Sequence, residues 1–160
     1  MTDPKNLILI VEDDMNLAEL IKQIVESTKK YEALSAYSAG EAFRMLEANK
    51  YPGRGNKIKC VLLDIKLPDL DGLSFLEELR KKYKEEIGVI LETAYEDEEK
   101  WQRALKGKVV GYLIKPFTAE QILKNLDVFF EGEAAKEGMK ILTYDQYFEK
   151  FKKYKRGGGH

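Results

Sequence analysis

Acidic, hydroxyl and ammonium side chains follow the short apolar runs of this chain, at the point where each run ends. They are Glu12, Asp13 and Asp14 after the first run, Asp64 after the third, Thr93 after the fourth and Lys115 with Pro116 after the fifth. Ligands of parallel α/β sheets bind at the carboxyl ends of the strands, so these side chains are candidates for chemistry. Carboxylates crowded at one sheet edge repel one another, and their oxygen atoms favour a hard divalent cation such as Mg2+.

Each of these residues also has a purely structural interpretation. Thr93 could occupy a turn, and Lys115 could be a solvated strand end. Asp14 is expected to cap the first helix rather than to bind a cation, although the choice of ligand within 12–14 is open by one position. The shared position of the residues at one edge of a predicted sheet favours a functional site over several unrelated structural roles.

Five short apolar runs alternate with five amphipathic segments, which is the pattern of a parallel sheet flanked by helices. The runs cover 7–11, 33–37, 60–63, 89–91 and 109–114. Four of the runs are almost continuously apolar, as expected of strands that are covered on both faces. The sequence therefore predicts an α/β fold in three layers.

Helical spacing of apolar residues predicts the elements between the runs. The first stripe comprises Leu17, Leu20, Ile21, Ile24 and Val25. Capping-box patterns that begin at Ser38 and Thr118 predict the starts of the second and fifth helices. The fourth helix, about 97–105, is short and polar with Trp101 as its main anchor, and the loop at 51–57 is expected to be solvated.

Composition limits the classes of partner and compartment. The chain has 27 Lys+Arg against 28 Asp+Glu, so overall charge gives no reason to bind nucleic acid or an anionic membrane. The single Cys60 fits a reducing compartment, and no apolar run approaches the roughly 20 residues of a membrane helix. The first residues lack a leader pattern, so we expect a cytoplasmic protein. The only histidine, His160, ends a run typical of a tag scar, which excludes histidine-based catalysis.

From Leu7 to about Phe130 the sequence resembles the receiver domain of two-component response regulators and is chemotaxis-receiver-like. The matching stretches are 10–14 (IVEDD), 62–72 (LLDIKLPDLDG), 91–95 (LETAY) and 112–117 (YLIKPF). The resemblance implies a doubly wound, flavodoxin-like fold whose five-stranded parallel sheet has the order 2-1-3-4-5. It also implies a regulatory phosphoacceptor rather than an enzyme that acts on other substrates. Its partner would be a sensor histidine kinase or a histidine phosphotransfer protein.

The resemblance assigns a role to each matching position. Asp64 would be the phosphoacceptor, forming an aspartyl phosphate. The cofactor would be Mg2+ or Mn2+, held by Asp13 and Asp64 directly, by Glu12 through water and by the backbone carbonyl of Lys66. The phosphoryl group would be bound by the Thr93 hydroxyl and the Lys115 ammonium, with the small Ala94 leaving its approach open. Pro116 would follow a cis peptide bond that aims Lys115 inward.

Thr93 and Tyr112 would form the conformational switch of the family, in which the aromatic ring turns inward when the hydroxyl moves toward the phosphoryl group. Two departures from the family pattern have consequences. Glu92 stands where the family usually has an apolar residue, so the end of the fourth strand is expected to be wetter or salt-bridged. Lys66 and Tyr95 lie two residues past Asp64 and Thr93, where they would shield the phosphoryl group from water and slow its loss.

Three other classes compete with this interpretation. A haloacid-dehalogenase-type phosphatase needs a second Asp two residues after the nucleophile, where this chain has Lys66. A P-loop NTPase needs a GxxxxGK[ST] segment, which is absent. A phosphorylation-independent interaction module with the receiver fold remains the alternative, although retention of the acidic, hydroxyl and lysine residues argues against it.

The organisation predicted from the sequence is a receiver domain at 1–130, a linker at 131–142, an amphipathic C-terminal helix at 143–156 and a tag scar at 157–160. The extra helix carries an aromatic stripe and clustered lysines. It could pack on the receiver's own core, or it could pair with a second copy or a partner. A homodimer could form through the fourth and fifth helices or through this C-terminal helix, whereas direct binding to nucleic acid or membrane is not expected.

Overall fold

The computed structural model of the protein describes residues 5–53, 55–94 and 98–132, apart from the side chains of residues 98 and 101. Strands and helices alternate throughout this part of the chain. The elements are β1 (Asn6–Val11), α1 (Met15–Ser27), β2 (Tyr31–Ala36), α2 (Ala39–Ala48), β3 (Ile58–Asp64), α3 (Gly72–Tyr83), β4 (Gly88–Thr93), α4 (Glu98–Lys106), β5 (Gly111–Ile114) and α5 (Ala119–Glu131). The alternation confirms the α/β class predicted from the sequence.

The five strands form one parallel sheet in the order β2-β1-β3-β4-β5, which confirms the predicted topology. The strand order reverses between β1 and β3, and the crevice at such a reversal is where doubly wound sheets bind ligands. In the register, Asp64 of β3 lies beside Glu92 of β4, and Thr93 lies beside Ile114 of β5. The sheet thus gathers the candidate residues at the carboxyl ends of its central strands.

Alternate residues of each strand face opposite layers of helices. Leu63 and Leu91 belong to one buried cluster with Phe75 and Leu76 of α3. Leu62 and Ile90 belong to the other cluster, with residues of α1 and α5. Because strand side chains alternate between faces, Asp64 and Glu92 follow the α1 and α5 side, whereas Thr93 follows the α3 side.

Helix caps fix the segments that follow β1 and β5. The Asp14 carboxylate accepts hydrogen bonds from the backbone N–H groups of Asn16 and Leu17, so Asp14 caps α1 as predicted. Thr118 and Gln121 form the complete predicted capping box at the start of α5. These caps set where the chain turns away from the sheet edge.

One detail of the sequence analysis is wrong, and another holds only in part, since Tyr51, Pro52, Gly53 and Lys57 of the loop at 51–57 are exposed as expected. Leu20, placed on the core stripe of the first helix, is 52% exposed, because α1 buries Ala18, Ile21 and Val25 instead. The predicted solvated loop contains the buried Asn56, whose side chain donates to the Leu46 carbonyl and accepts from the Ile58 N–H. A short polar side chain that satisfies two backbone groups can be buried at little cost.

Several predictions concern residues beyond those described. Helix α5 continues to Glu131. The rest of the predicted linker at 131–142 past residue 132, the C-terminal helix at 143–156 and the tag scar at 157–160 lie outside the described residues, as does the Trp101 side chain. Among the helices that the structure describes, none is both long and apolar enough to cross a membrane.

Candidate functional site

A cavity of about 390 Å3 opens at the carboxyl ends of β1 and β3. Its polar lining consists of four carboxylates and two lysines, namely Glu12, Asp13, Asp14, Asp64, Lys66 and Lys115. Leu67 and Pro68 of the loop after β3 also line the cavity. The cavity therefore combines clustered acidic oxygen atoms with ammonium groups, which suits a phosphate group together with a divalent cation.

Asp64 is the most constrained carboxylate of this cavity. It is 4% exposed, and the Lys115 Nζ atom donates to Oδ1 and Oδ2 at 3.1 Å each. The Lys66 backbone N–H also donates to Oδ1, at 3.1 Å. Burial alone would lower the pKa of Lys115, but the charge and hydrogen bonds of Asp64 and the charges of Glu12 and Glu92 outweigh burial and raise it. The ion pair holds both side chains in a fixed relative position.

Glu12 lies beside Asp64 and is 2% exposed. Burial, followed by a hydrogen bond with Asp64 and the charges of Asp64 and Glu92, raises the pKa of Glu12 to about 8. Carboxylate oxygens of Glu12, Asp64 and Glu92 all lie within 4.8 Å of one another. Asp13 is exposed and lines the same cavity, but it is not part of this cluster of three.

Glu92 contradicts the sequence-based expectation of a wetter or salt-bridged strand end. Its side chain is completely buried, and neither carboxylate oxygen has a hydrogen-bond partner among the residues that the structure describes. Burial, followed by the charge of Asp64, raises the pKa of Glu92 to about 8. The register explains the position, since Glu92 lies beside Asp64 on the face covered by α1 and α5. The alternation of β4 contained this signal, because Glu92 follows the buried Ile90 by two residues.

Thr93 and Tyr112 are both buried, at 5% and 7% exposure. The Thr93 hydroxyl donates to the Ala94 carbonyl at 2.9 Å, and the Lys115 N–H donates to the Thr93 carbonyl at 2.8 Å. Tyr112 belongs to the core cluster on the α3 side of the sheet, the same side that Thr93 follows. The peptide bond between Lys115 and Pro116 is cis, as expected from the sequence.

Gly72 fixes the loop that follows Asp64. Its N–H donates to the Ile65 carbonyl at 2.5 Å. A Cβ atom at this position would lie 2.3 Å from the Asp64 carbonyl oxygen and 2.7 Å from the Ile65 Cα atom. Both of these contacts are with backbone, so only glycine allows α3 to start this close to β3. The close approach holds the backbone of Asp64 in place.

Comparison with known proteins identifies the family. The family model of the response regulator receiver domain matches residues 8–127. The chain belongs to this family. The receiver assignment accounts for the parallel sheet, for the acidic cavity at its carboxyl edge and for the order of the motifs along the chain.

Curated relatives of this receiver are longer proteins. The chain is 29% identical over 125 residues to the transcriptional regulatory protein CitT of Halalkalibacterium halodurans, covering 78% of this chain and 52% of CitT. It is 28% identical over 139 residues to the probable C4-dicarboxylate response regulator DctR of Bacillus subtilis, covering 87% of this chain and 58% of DctR. The chain thus spans about half the length of the curated relatives that it matches.

Solved structures share the fold over nearly their whole length. A CheY-like response regulator receiver domain protein from Methanospirillum hungatei superposes with a TM-score of 0.70 at 28% identity, covering 84% of this chain and 99% of that chain. A receiver domain protein from Clostridium thermocellum gives a TM-score of 0.66 at 28% identity, covering 83% and 98%. The described part of this receiver is therefore comparable to complete receiver chains.

The donor set of the receiver's cavity fits a hard divalent cation. The three clustered carboxylates and the nearby Asp13 offer oxygen atoms only, which are the ligands that Mg2+ and Mn2+ prefer. Of the residues predicted from the sequence, Glu12, Asp64 and Lys115 are brought together, and Asp13 and Lys66 line the same cavity. Tyr95 lies outside the described residues. Glu92 is the member of the site that the sequence analysis did not include.

Proposed function

We propose that this receiver accepts a phosphoryl group on Asp64 from a sensor histidine kinase or a histidine phosphotransfer protein, and that the modification switches its conformation to control a partner. The observation that carries the proposal is the buried Asp64 carboxylate, both of whose oxygen atoms are held by Lys115 at the floor of an acidic cavity. A nucleophile fixed in this way is positioned for in-line attack on a phosphorus atom that enters from the open side.

The proposed transfer forms one bond and breaks one. An Asp64 carboxylate oxygen attacks the phosphorus of a phosphohistidine, a P–O bond forms, and the P–N bond breaks with its electron pair returning to the imidazole nitrogen. Asp13, Asp64 and the Lys66 carbonyl, with Glu12 acting through water, would hold Mg2+ or Mn2+. When bound, the cation supplies positive charge for the phosphoryl oxygens. Lys115 supplies a second positive charge from the protein itself.

Lys115 and Thr93 would change partners when Asp64 is modified. The Lys115 ammonium, which now donates to Asp64, would donate to a phosphoryl oxygen instead. The Thr93 hydroxyl would exchange its bond to the Ala94 carbonyl for a bond to the phosphoryl group. The small Ala94 side chain would leave room for that group. This exchange couples the modification to the backbone at the end of β4.

Movement of Thr93 would create space for Tyr112 on the same face of the sheet. Both side chains are buried, so a shift of one affects the packing available to the other. The phosphoryl group adds about 1.5 to 2 negative charges, which is a large local change to a site already rich in carboxylates. Lys66 and Tyr95 would shield the acyl phosphate, so we expect it to decay slowly. A partner or a second copy would recognise the altered surface of α4 and α5.

The test is labelling by a small phosphodonor, such as acetyl phosphate, in the presence of Mg2+. Intact-protein mass should show one added phosphoryl group on the wild type and none on Asp64→Asn. Asp14→Asn is the matched control, because Asn caps a helix as well as Asp does and the residue lines the same cavity. Labelling of Asp64→Asn would contradict the assignment of the acceptor. A wild-type protein that takes no label would favour the phosphorylation-independent interaction module.

A further inference from the structure

The buried carboxylate of Glu92 is the feature that the proposed phosphotransfer does not use. Its exposed fraction is 0%, and both oxygen atoms lack a hydrogen-bond partner among the described residues. A buried carboxylate without a partner is costly, and native proteins rarely keep one unless a ligand or a function compensates. The position therefore requires an explanation beyond packing.

The charged groups around Glu92 leave the negative charge of its buried carboxylate uncompensated. Lys115 is the nearby cation, but its Nζ atom donates to both oxygen atoms of Asp64. The other two members of the cluster, Glu12 and Asp64, are also carboxylates. Within the described part of the chain no ion pair reaches Glu92. When all three of these clustered carboxylates are ionised, Lys115, which already pairs with Asp64, does not balance their charge.

The separations in this cluster match a single divalent cation. The carboxylate oxygens of Glu12, Asp64 and Glu92 lie within 4.8 Å of one another. Three oxygens at this upper limit lie about 2.8 Å from a shared centre, whereas bonds from oxygen to Ca2+ are about 2.3–2.6 Å long and bonds to Mg2+ about 2.0–2.1 Å. A small side-chain movement would therefore let all three oxygens contact a larger cation, and a larger movement would be needed for Mg2+.

We propose that Glu92 is a third carboxylate of the cation site, which binds a divalent cation together with Glu12 and Asp64 and raises the cation affinity of the unphosphorylated receiver. The inference rests on the proposed function in one respect, namely that a cation binds beside Asp64. It differs from the ligand set expected from the family resemblance, because it adds a buried residue of β4 and makes Glu12 a direct ligand rather than one that acts through water. Cations larger than Mg2+ should gain most, since Mg2+ usually keeps only one or two carboxylate ligands.

Isothermal titration of Mn2+ and Mg2+ into the unphosphorylated protein tests the proposal. Glu92→Gln keeps the size of the side chain and removes its charge, and we expect it to weaken Mn2+ binding by about 10- to 100-fold. Glu32→Gln, an exposed residue near the opposite end of the sheet, is the control for loss of one negative charge and should bind as the wild type does. Glu92→Met, which restores an apolar residue, should reproduce the loss if Glu92→Gln is poorly folded.

Unchanged Mn2+ affinity in folded Glu92→Gln or Glu92→Met would overturn the proposal. Asp64→Asn separates this failure from failure of the proposed function. If Asp64→Asn weakens cation binding and the Glu92 variants do not, only the role of Glu92 is wrong. If Asp64→Asn also binds as the wild type does, the cation site itself is misplaced and both proposals fail.

Discussion

Two charged side chains at opposite ends of the central strands, Arg80 and Glu92, are satisfied to very different degrees. Arg80, near the end of α3, donates to backbone carbonyls that precede β4 and β5. The acceptors are the carbonyl oxygens of Lys84, Ile87, Gly107 and Lys108. Glu92, at the other end of β4, has no hydrogen-bond partner for either oxygen among the described residues.

The difference separates a stabilising end of the sheet from a functional one. A guanidinium with four of its five N–H donors directed at backbone carbonyls has little capacity left for a ligand, so its main effect is to hold loops together. A buried carboxylate without partners leaves the folded state less stable than it could be, and such local conflicts concentrate at functional sites. The amino ends of β4 and β5 are thus organised for stability, whereas the carboxyl ends of β3 and β4 carry the proposed binding site.

The largest effect expected from this comparison is on stability when Arg80 is removed. Arg80→Met should lower the free energy of unfolding by about 3 kcal/mol or more, because several carbonyl groups lose a charged donor. Urea denaturation measures the change, with the exposed Lys81→Met as the matched control. Labelling of Asp64 by acetyl phosphate, assayed well below the unfolding midpoint, should be unchanged. If Arg80→Met instead had normal stability but impaired labelling of Asp64, the end of the sheet that contains Arg80 would serve function and not stability.

The role of Arg80 could not be predicted from the sequence. On the helical pattern of α3 it is one of three basic residues in the last turn, which is typical of a solvated helix end. Its acceptors include the carbonyls of Gly107 and Lys108, which lie 27 and 28 residues away in the chain. Only the tertiary arrangement of α3, β4 and β5 brings them together.

The second prediction is that removal of the Glu92 carboxylate stabilises the protein, whereas removal of Arg80 destabilises it. Burial, with the charge of Asp64, raises the pKa of Glu92 from 4.5 to about 8. Because the folded-state pKa is above the unfolded one, stability from this group is fully present below about pH 4.5 and is lost as the pH rises through about 8. In buffer without divalent cations, Glu92→Met should therefore be more stable than the wild type by about 2 kcal/mol at roughly pH 9.

Urea denaturation near pH 6 and near pH 9 checks this prediction. The advantage of Glu92→Met over the wild type should grow with pH, and Glu32→Gln should show no such trend. Saturating Mn2+ should reduce the advantage, because a ligand that binds the folded wild type more tightly than the folded variant stabilises the wild type more. If Glu92→Met is less stable than the wild type at both pH values, Glu92 has a stabilising role and the contrast with Arg80 disappears.

Most of the site, unlike Arg80, could be predicted because its positions are set by local patterns. Asp64 and Lys115 each follow a buried strand, so parallel pairing alone brings them to one edge. Asp14 follows β1 and precedes a helical stripe, which predicts the cap. Glu92 was missed because its type conflicts with the apolar pattern of β4, and a charged residue at a strand end is usually solvated. Its position beside Asp64 decides the matter, and that position depends on the register of β4 with β3.

The smallest effect concerns Asp69, a carboxylate at the functional end whose two oxygen atoms both accept hydrogen bonds. Its Oδ1 and Oδ2 atoms accept from the N–H groups of Ala39 and Gly40 at 2.9 Å each, which ties the loop after Asp64 to the start of α2. Asp69→Asn replaces one acceptor with a donor and should cost about 1 kcal/mol, a modest value because solvent reaches the site. Urea denaturation near pH 7 measures this loss.

The pH dependence of that loss distinguishes Asp69 from Glu92. The backbone N–H groups of Gly40 and Ala39 lower the pKa of Asp69 below its ordinary value of 3.8. Stability from Asp69 is therefore present above about pH 4 and is lost as the pH falls through the lowered pKa, the reverse of the trend for Glu92. The wild type should approach Asp69→Asn in stability only in acid. If the stability difference between the wild type and Asp69→Asn instead grew as the pH fell, the ionised carboxylate of Asp69 would be as poorly stabilised as that of Glu92. The two carboxylates would then differ in their position in the fold and not in their hydrogen bonding.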